Sequence, residues 1–188
     1  MASIRFCEDG GNGWIKEYYN TWSSLSYIIT ALPFLHTRVK KVAYSGVWIG
    51  IGSFFLHSTG TYWAQCIDEV AIICLIFYAI QMYAPIFPEK TLIPLTVLYF
   101  IHNKNFIYFF AMICGLGIFL TYKSMKRGDF YMRTFAYFLI AGAFSWAGDQ
   151  LLCNYIGFLQ LHAWWHILTS ISFGFMYKGM LITKKKDK

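Results

Sequence analysis

The chain has 188 residues, of which 57% are hydrophobic and only 13% are charged. A soluble domain usually carries about a quarter charged residues, so the composition excludes an ordinary soluble protein. Aromatic residues make up 21%, which suits a lipid-facing surface with aromatic belts at both interfaces. The net charge of +7 comes from short loops between apolar runs and not from a base-reading patch, which excludes nucleic acid as a partner.

The sequence predicts an all-α integral membrane protein with seven transmembrane helices. Most of the apolar segments are long enough to cross a core about 30 Å thick at about 1.5 Å rise per residue. In chain order they are 20–37, 42–60, 64–84, 90–102, 105–123, 131–152 and 161–182. The fourth is short and contains Pro94, which predicts a short, tilted or partly re-entrant helix. The start of the chain shows no apolar signal-peptide region, so we expect the first span to direct insertion.

The positions of the basic residues predict the orientation and favour seven spans. Only Arg5, Lys16 and Lys104 fall on one side of the membrane, and the other thirteen of the 16 Lys and Arg residues fall on the opposite side. Because positive loops stay in the cytosol, we expect a lumenal N-terminus and a cytosolic C-terminus. The chain then divides into a lumenal acidic segment (1–19), a membrane catalytic domain (20–182) and a basic cytosolic tail (183–188).

Ionisable groups inside a membrane are unfavourable, so they are functional candidates. Ser53 and His57 lie four residues apart late in the second span and share one helix face. Asp68 begins the third span, and His162 and His166 form an i, i+4 pair at the start of the seventh. The orientation predicted from loop charges places all five in the outer leaflet.

Three histidines with one open position are the ligand set of a catalytic zinc site, which predicts zinc on His57, His162 and His166. Zinc lowers the pKa of bound water to about 7 and so supplies a nucleophile at neutral pH. Asp68 can take and return protons, and Ser53 can stabilise an oxyanion. A single membrane histidine can instead be a helix-packing hydrogen-bonder. Asp149, in the sixth span, could bond helices together or orient a ligand histidine.

An acidic, glycine-rich segment precedes the first span. Its oxygen-bearing side chains are of the kind that calcium prefers, although the spacing is not that of an EF-hand: Glu8, Asp9, Asn12, Glu17 and Asn20. A solvated turn with capping residues is the alternative. Cys7 and Cys153 both fall on the outer side, where an oxidising compartment would let them pair, with Cys66 as a competing partner.

Several short motifs, spread along the chain in a fixed order, resemble those of the alkaline ceramidases. The wider superfamily also holds adiponectin-receptor-like proteins and GPI-remodelling lipid hydrolases. The matching pieces are Cys7-Glu8, Glu17-Tyr18-Tyr19-Asn20-Thr21, the run from Gly52 to Thr59, Gln65-x-x-Asp68-Glu69, Trp146-x-x-Asp149, Cys153, and His162-Ala163-x-Trp165-His166. Two of these pieces, Gln-x-x-Asp-Glu and Trp-x-x-Asp, are typical of ceramidases.

The resemblance implies a seven-helix fold that binds zinc through the three histidines, with Ser53 and Asp68 as catalytic partners. It also implies a calcium site among the acids and asparagines from Glu8 to Asn20, and a disulfide between Cys7 and Cys153. The substrate would be ceramide in the lipid bilayer, cleaved at its amide to sphingosine and a fatty acid. A related hydrolase acting on another lipid, or a receptor-like protein with a structural zinc site, are the alternatives.

The chain departs from the family pattern in a few places. It is shorter than usual members around the fourth and fifth spans, and Arg5 stands where an acid is expected. Ser24 replaces the asparagine expected after Ser23. The tail resembles a dilysine retrieval signal through Lys185 and Lys186, which predicts the endoplasmic reticulum or Golgi as the location.

Overall fold

The computed structural model describes residues 6–8, 15–83, 87–102, 115, 117–123, 125–126 and 129–183. These residues are helical with short connections and contain no strand, which confirms the predicted all-α class. The α-helices are α1 (Tyr18–Ser23), α2 (Leu25–Ala31), α3 (Lys40–Thr59), α4 (Tyr62–Tyr83), α5 (Leu92–His102), α6 (Phe130–Ile156) and α7 (Leu161–Thr183). Short 3-10 helices lie at Leu32–Phe34, Glu89–Thr91 and Gly157–Leu159, and residues 117–123 are also helical.

Two left-handed residues end helices close to the candidate site. Gly60 follows α3 with a φ of 62°, a conformation that glycine adopts without strain, and its N–H donates to Leu56 O at 2.7 Å. The chain reverses there, and α4 packs along α3. Gln160, with a φ of 51°, makes a second reversal between α6 and α7. The end of α3 therefore meets the start of α4, and the end of α6 meets the start of α7.

The two helix pairs are joined by α2, which packs against both α3 and α7. Gly50 allows the close approach of α2, because a Cβ atom there would lie 2.6 Å from Ile28 Cγ1. The main apolar core fills the end of the bundle that holds the start of α3 and the end of α7, with Val42, Phe135 and Tyr177 buried in it. Buried polar side chains gather at the opposite end, where the candidate site lies.

The outside of the molecule suits contact with lipid. Ile93 of α5 and Phe144 and Leu151 of α6 are exposed by 67, 74 and 78%, which is unusual for apolar side chains of a soluble protein. Among the described helices, the one that is long and apolar enough to cross a membrane runs from Tyr62 to Met82, with a mean hydropathy of 1.7. The predicted fourth span is the 11-residue helix α5. Most of the predicted fifth span, and the tail from residue 184, lie outside the described residues.

Candidate metal centre

Three histidines converge at the polar end of the bundle. His57 comes from the last turns of α3, and His162 and His166 come from the first turns of α7. One ring nitrogen of each lies within 4.8 Å of the corresponding nitrogens of the other two. All three side chains are buried, at 1, 4 and 2% exposure. The i, i+4 spacing in α7 puts its two rings on one face.

Hydrogen bonds to protein side chains fix the orientation of two of the three rings. His57 Nδ1 donates to Glu17 Oε2 at 2.5 Å, and a hydrogen bond of 2.9 Å joins His166 Nδ1 to Ser23 Oγ. Partners of this kind hold a metal-binding imidazole in one orientation and leave its other nitrogen for the metal.

The chemistry of the third ring fits a metal-binding role. His162 Nδ1 is buried and, among the contacts of the described residues, has no hydrogen-bond partner. An unpartnered buried nitrogen is unfavourable in a protein interior unless something outside the protein satisfies it. Three buried imidazoles facing one point are the nitrogen ligand set that a catalytic zinc ion uses.

Of the two predicted catalytic partners, Ser53 lies against the histidines and Asp68 lies beside the residue that precedes Ser53. Ser53 Oγ is buried, lies 3.4 Å from His166 Nε2 and accepts a hydrogen bond from Ser24 Oγ at 2.9 Å. Asp68 lies opposite the residue before Ser53, because a Cβ atom built on Gly52 would be 2.5 Å from Asp68 N. The Asp68 Oδ1 atom is buried with no hydrogen-bond partner among the described residues, so it is available to a proton or to a substrate group.

The acidic N-terminal residues lie beside the histidines. Glu8 accepts hydrogen bonds from Tyr19 N and Asn20 N at 2.7 and 2.9 Å, and Glu17 Oε2 accepts one from Asn20 Nδ2 at 2.9 Å. Asn20 is fully buried, and its Oδ1 has no hydrogen-bond partner among the described residues. Asp9 and Asn12, the other predicted calcium ligands, lie outside the described residues.

A disulfide joins Cys7 to Cys153, the pair that the family resemblance implies, with their Cα atoms 5.3 Å apart. Cys66, the competing partner, is buried and is not part of this disulfide. Asp149 lies close by, and its Oδ2 accepts hydrogen bonds from Cys7 N at 3.4 Å and from Gln150 Nε2 at 3.2 Å. Asp149 therefore helps to tie the N-terminal segment to α6.

Some residues have contacts in the site that the sequence analysis did not predict. The ring of Phe6 lies against those of His57 and His162, with centroids 4.8 and 4.1 Å apart. Ser23 holds His166, and Glu17, predicted only as a calcium ligand, holds His57. These contacts cross between segments far apart in the chain, so helical spacing carries no signal for them.

A buried carboxylate next to Asp68 anchors α5. Glu69 is 4% exposed, and it accepts hydrogen bonds from Gln65 Nε2 at 2.9 Å and from Tyr99 OH at 2.7 Å. Of the α5 side chains that the structure describes, Tyr99 alone is buried. A buried carboxylate is stable only when donors satisfy it, so this hydrogen bond fixes the short helix on α4.

We expect Tyr99→Phe to destabilise the protein by about 1–3 kcal/mol, since it removes one donor from a buried acceptor. Thermal unfolding of the purified protein in detergent measures the effect, as a fall in Tm of several degrees. Tyr155→Phe is the matched control, because Tyr155 is 80% exposed and loses the same single oxygen atom. Equal unfolding temperatures for the two variants would show that the Glu69–Tyr99 hydrogen bond does not stabilise the fold.

Comparisons with known proteins identify the family of this chain. The ceramidase family model matches residues 1–187. Alkaline ceramidase 1 of Mus musculus is 25% identical over 206 residues, which cover 92% of this chain and 76% of the mouse protein. Alkaline ceramidase 1 of Homo sapiens is 26% identical over 200 residues, covering 85% of this chain and 73% of the human protein.

A relative from a third organism is also an alkaline ceramidase. The alkaline ceramidase of Caenorhabditis elegans is 25% identical over 195 residues, covering 85% of this chain and 71% of the relative. The family match runs through every segment that supplies a residue to the candidate site, from Cys7 to His166. The chain therefore belongs to the ceramidase family of hydrolases, as the motifs in its sequence predicted.

Proposed function

We propose that this protein is a zinc-dependent hydrolase that cleaves ceramide within the membrane to sphingosine and a fatty acid. The relatives are named alkaline ceramidases, which supports ceramide as the substrate. The observation that carries the metal dependence is the buried group of His57, His162 and His166. A purely structural role for the three histidines would not require an unpartnered nitrogen on His162. It would also not require the two further polar side chains of Ser53 and Asp68.

The three histidines would hold the ion, with His57 and His166 oriented by Glu17 and Ser23. A bound zinc ion supplies Lewis acidity and lowers the pKa of a bound water to about 7. The protein contributes rings that are fixed before the metal arrives, together with a site from which bulk water is largely excluded.

Ser53 and Asp68 complete the proposed chemistry. The Ser53 hydroxyl would donate a hydrogen bond to the amide oxygen of ceramide as negative charge develops there. Asp68 would accept a proton from the attacking water at its unpartnered Oδ1 and then return it to the amide nitrogen. The carbon–nitrogen bond breaks, a carbon–oxygen bond from water forms, and sphingosine leaves as the amine.

A calcium ion is the second proposed cofactor, held among Glu8, Asp9, Asn12, Glu17 and Asn20. The unpartnered, buried Asn20 Oδ1 supports an oxygen-seeking cation there. Glu17 would link the two cations, because it bonds both Asn20 and His57. Glu8 already accepts two backbone N–H groups, so its carboxylate also holds the start of α1.

The membrane arrangement completes the proposal. We place the chain across the bilayer seven times, with the site in the lumenal leaflet of the endoplasmic reticulum or Golgi and the C-terminus in the cytosol. The distribution of Lys and Arg between the two sides supports this orientation, and the exposed apolar faces of α5 and α6 support contact with lipid. Ceramide would then reach the histidines without leaving the membrane.

Hydrolysis of ceramide by the purified protein in detergent, with and without a zinc chelator, tests the proposal. We expect release of sphingosine that the chelator stops and that added zinc restores. Release from an ester analogue but not from ceramide would make the protein a hydrolase of another lipid. Failure to cleave any lipid, with zinc still bound by metal analysis, would point to the receptor-like alternative.

A further inference from the structure

We infer that Phe6 is an aromatic cover over the metal centre, and that the Cys7–Cys153 disulfide holds this cover closed. The cover slows the exchange of metal between the histidine site and the surrounding solution. The inference rests on the proposed metal site and goes beyond it, because it assigns a task to a residue and a disulfide that hydrolysis itself does not use.

The contacts of Phe6 are with the ligands themselves. Its ring centroid lies 4.1 Å from that of His162 at an interplanar angle of 43°, and 4.8 Å from that of His57 at 61°. The ring therefore covers two of the three imidazoles from the side on which the N-terminal segment lies. An aromatic contact contributes only about 0.5–1.5 kcal/mol, which would not by itself keep Phe6 in place.

The two residues that follow Phe6 supply the missing restraint. Cys7 is bonded to Cys153 of α6, and its backbone N–H donates to Asp149 Oδ2. Glu8 accepts two backbone N–H groups at the start of α1. Phe6 is thus attached to a short segment that is fixed on two different helices, so little conformational entropy opposes its contact with the histidines.

An apolar ring in this position controls access to the metal. The hydrophobic shell around a metal site determines how easily solvent and competing ligands reach the ion. A hydrophilic chelator must bring its own donor atoms next to the ion before a histidine can leave. Removing the ring, or releasing Cys7 by reduction of the disulfide, opens the side that Phe6 closes.

The test measures the release of zinc from the purified, zinc-loaded protein in detergent after addition of excess EDTA. We expect Phe6→Ala to lose zinc at least about 10-fold faster than the unmodified protein. Phe55→Ala is the matched control, since it removes the same ring from a half-exposed position on α3. Metal analysis after rapid desalting gives the rate without any need for enzyme activity.

The disulfide is tested in the unmodified sequence, so that the result does not depend on how a variant folds. Mild reduction should accelerate zinc release to the rate of Phe6→Ala, and it should not accelerate Phe6→Ala further. Equal release rates from the unmodified protein and Phe6→Ala would overturn the cover and leave the proposed function untouched. Acceleration by Phe6→Ala without any effect of reduction would overturn the role of the disulfide. An unmodified protein that retains no zinc would refute the metal centre and its cover together.

Discussion

We expect His57→Ala to lower the rate of ceramide hydrolysis by about 1,000-fold or more and to leave the protein folded. The variant removes one of three proposed ligands, and residues that act as a unit lose nearly all of their joint effect when one is taken away. The apolar core lies at the other end of the bundle and does not depend on this ring. Sphingosine release and zinc content are measured on the same purified sample.

His36→Ala is the control for this experiment, because His36 is exposed and precedes the start of α3, whereas His57 lies in the last turns of that helix. It should keep full activity and full zinc content. Intact disulfide formation on a non-reducing gel shows that the His57 variant has folded. A folded His57→Ala protein that hydrolyses ceramide at the normal rate would refute the zinc mechanism.

Gly52→Ala is the second substitution with a large expected effect. The new Cβ atom would lie 2.5 Å from Asp68 N and 2.7 Å from Asp68 Cα, which are backbone atoms that cannot rotate away. α3 and α4 must therefore move apart at the point where Ser53 and Asp68 face the site. We expect a loss of stability of about 1–3 kcal/mol from overpacking and a loss of activity of about 100-fold.

Gly174→Ala separates this effect from the general consequences of replacing glycine in a helix. A Cβ atom there would lie 3.9 Å from Thr30 Cβ, which is an ordinary contact, and alanine is the better helix former. This control should keep its activity and unfold at the same temperature or higher. Unchanged activity and unfolding temperature in Gly52→Ala would show that the close approach of α3 and α4 does not position Ser53 and Asp68, the proposed catalytic pair.

The histidine group could be predicted from sequence because two simple regularities agree. The i, i+4 spacing puts His162 and His166 on one face of a helix, and the charges of the loops put His57 at the same depth. Neither regularity identifies the metal. Together they predict that the three rings lie close to one another, and the structure confirms this. The depth of Asp68 follows from the same reasoning, since Asp68 lies early in α4, the helix that returns from the end of α3.

The residues that orient the rings could not be predicted in this way. Ser23 and His166 are 143 positions apart, and nothing in the sequence of α1 indicates that its last turn touches α7. Glu17 was predicted only as a calcium ligand, and in the structure its carboxylate also bonds to His57. A sequence motif does not predict that one side chain contacts two different groups. The buried Glu69 lies within a recognised motif, yet its partner Tyr99 is an ordinary aromatic residue of an apolar helix.

The reversals at Gly60 and Gln160 have a consequence for how the protein is made. Each creates a helical hairpin, and His57 belongs to the first while His162 and His166 belong to the second. The ribosome must therefore synthesise both hairpins, through His166, before an ion could meet all three histidines. Before then the chain has only part of the site, so the proposed metal could be captured only once the two hairpins have docked. Since a ligand that binds only the assembled state adds to its stability, a bound ion would also stabilise the contact between the two hairpins.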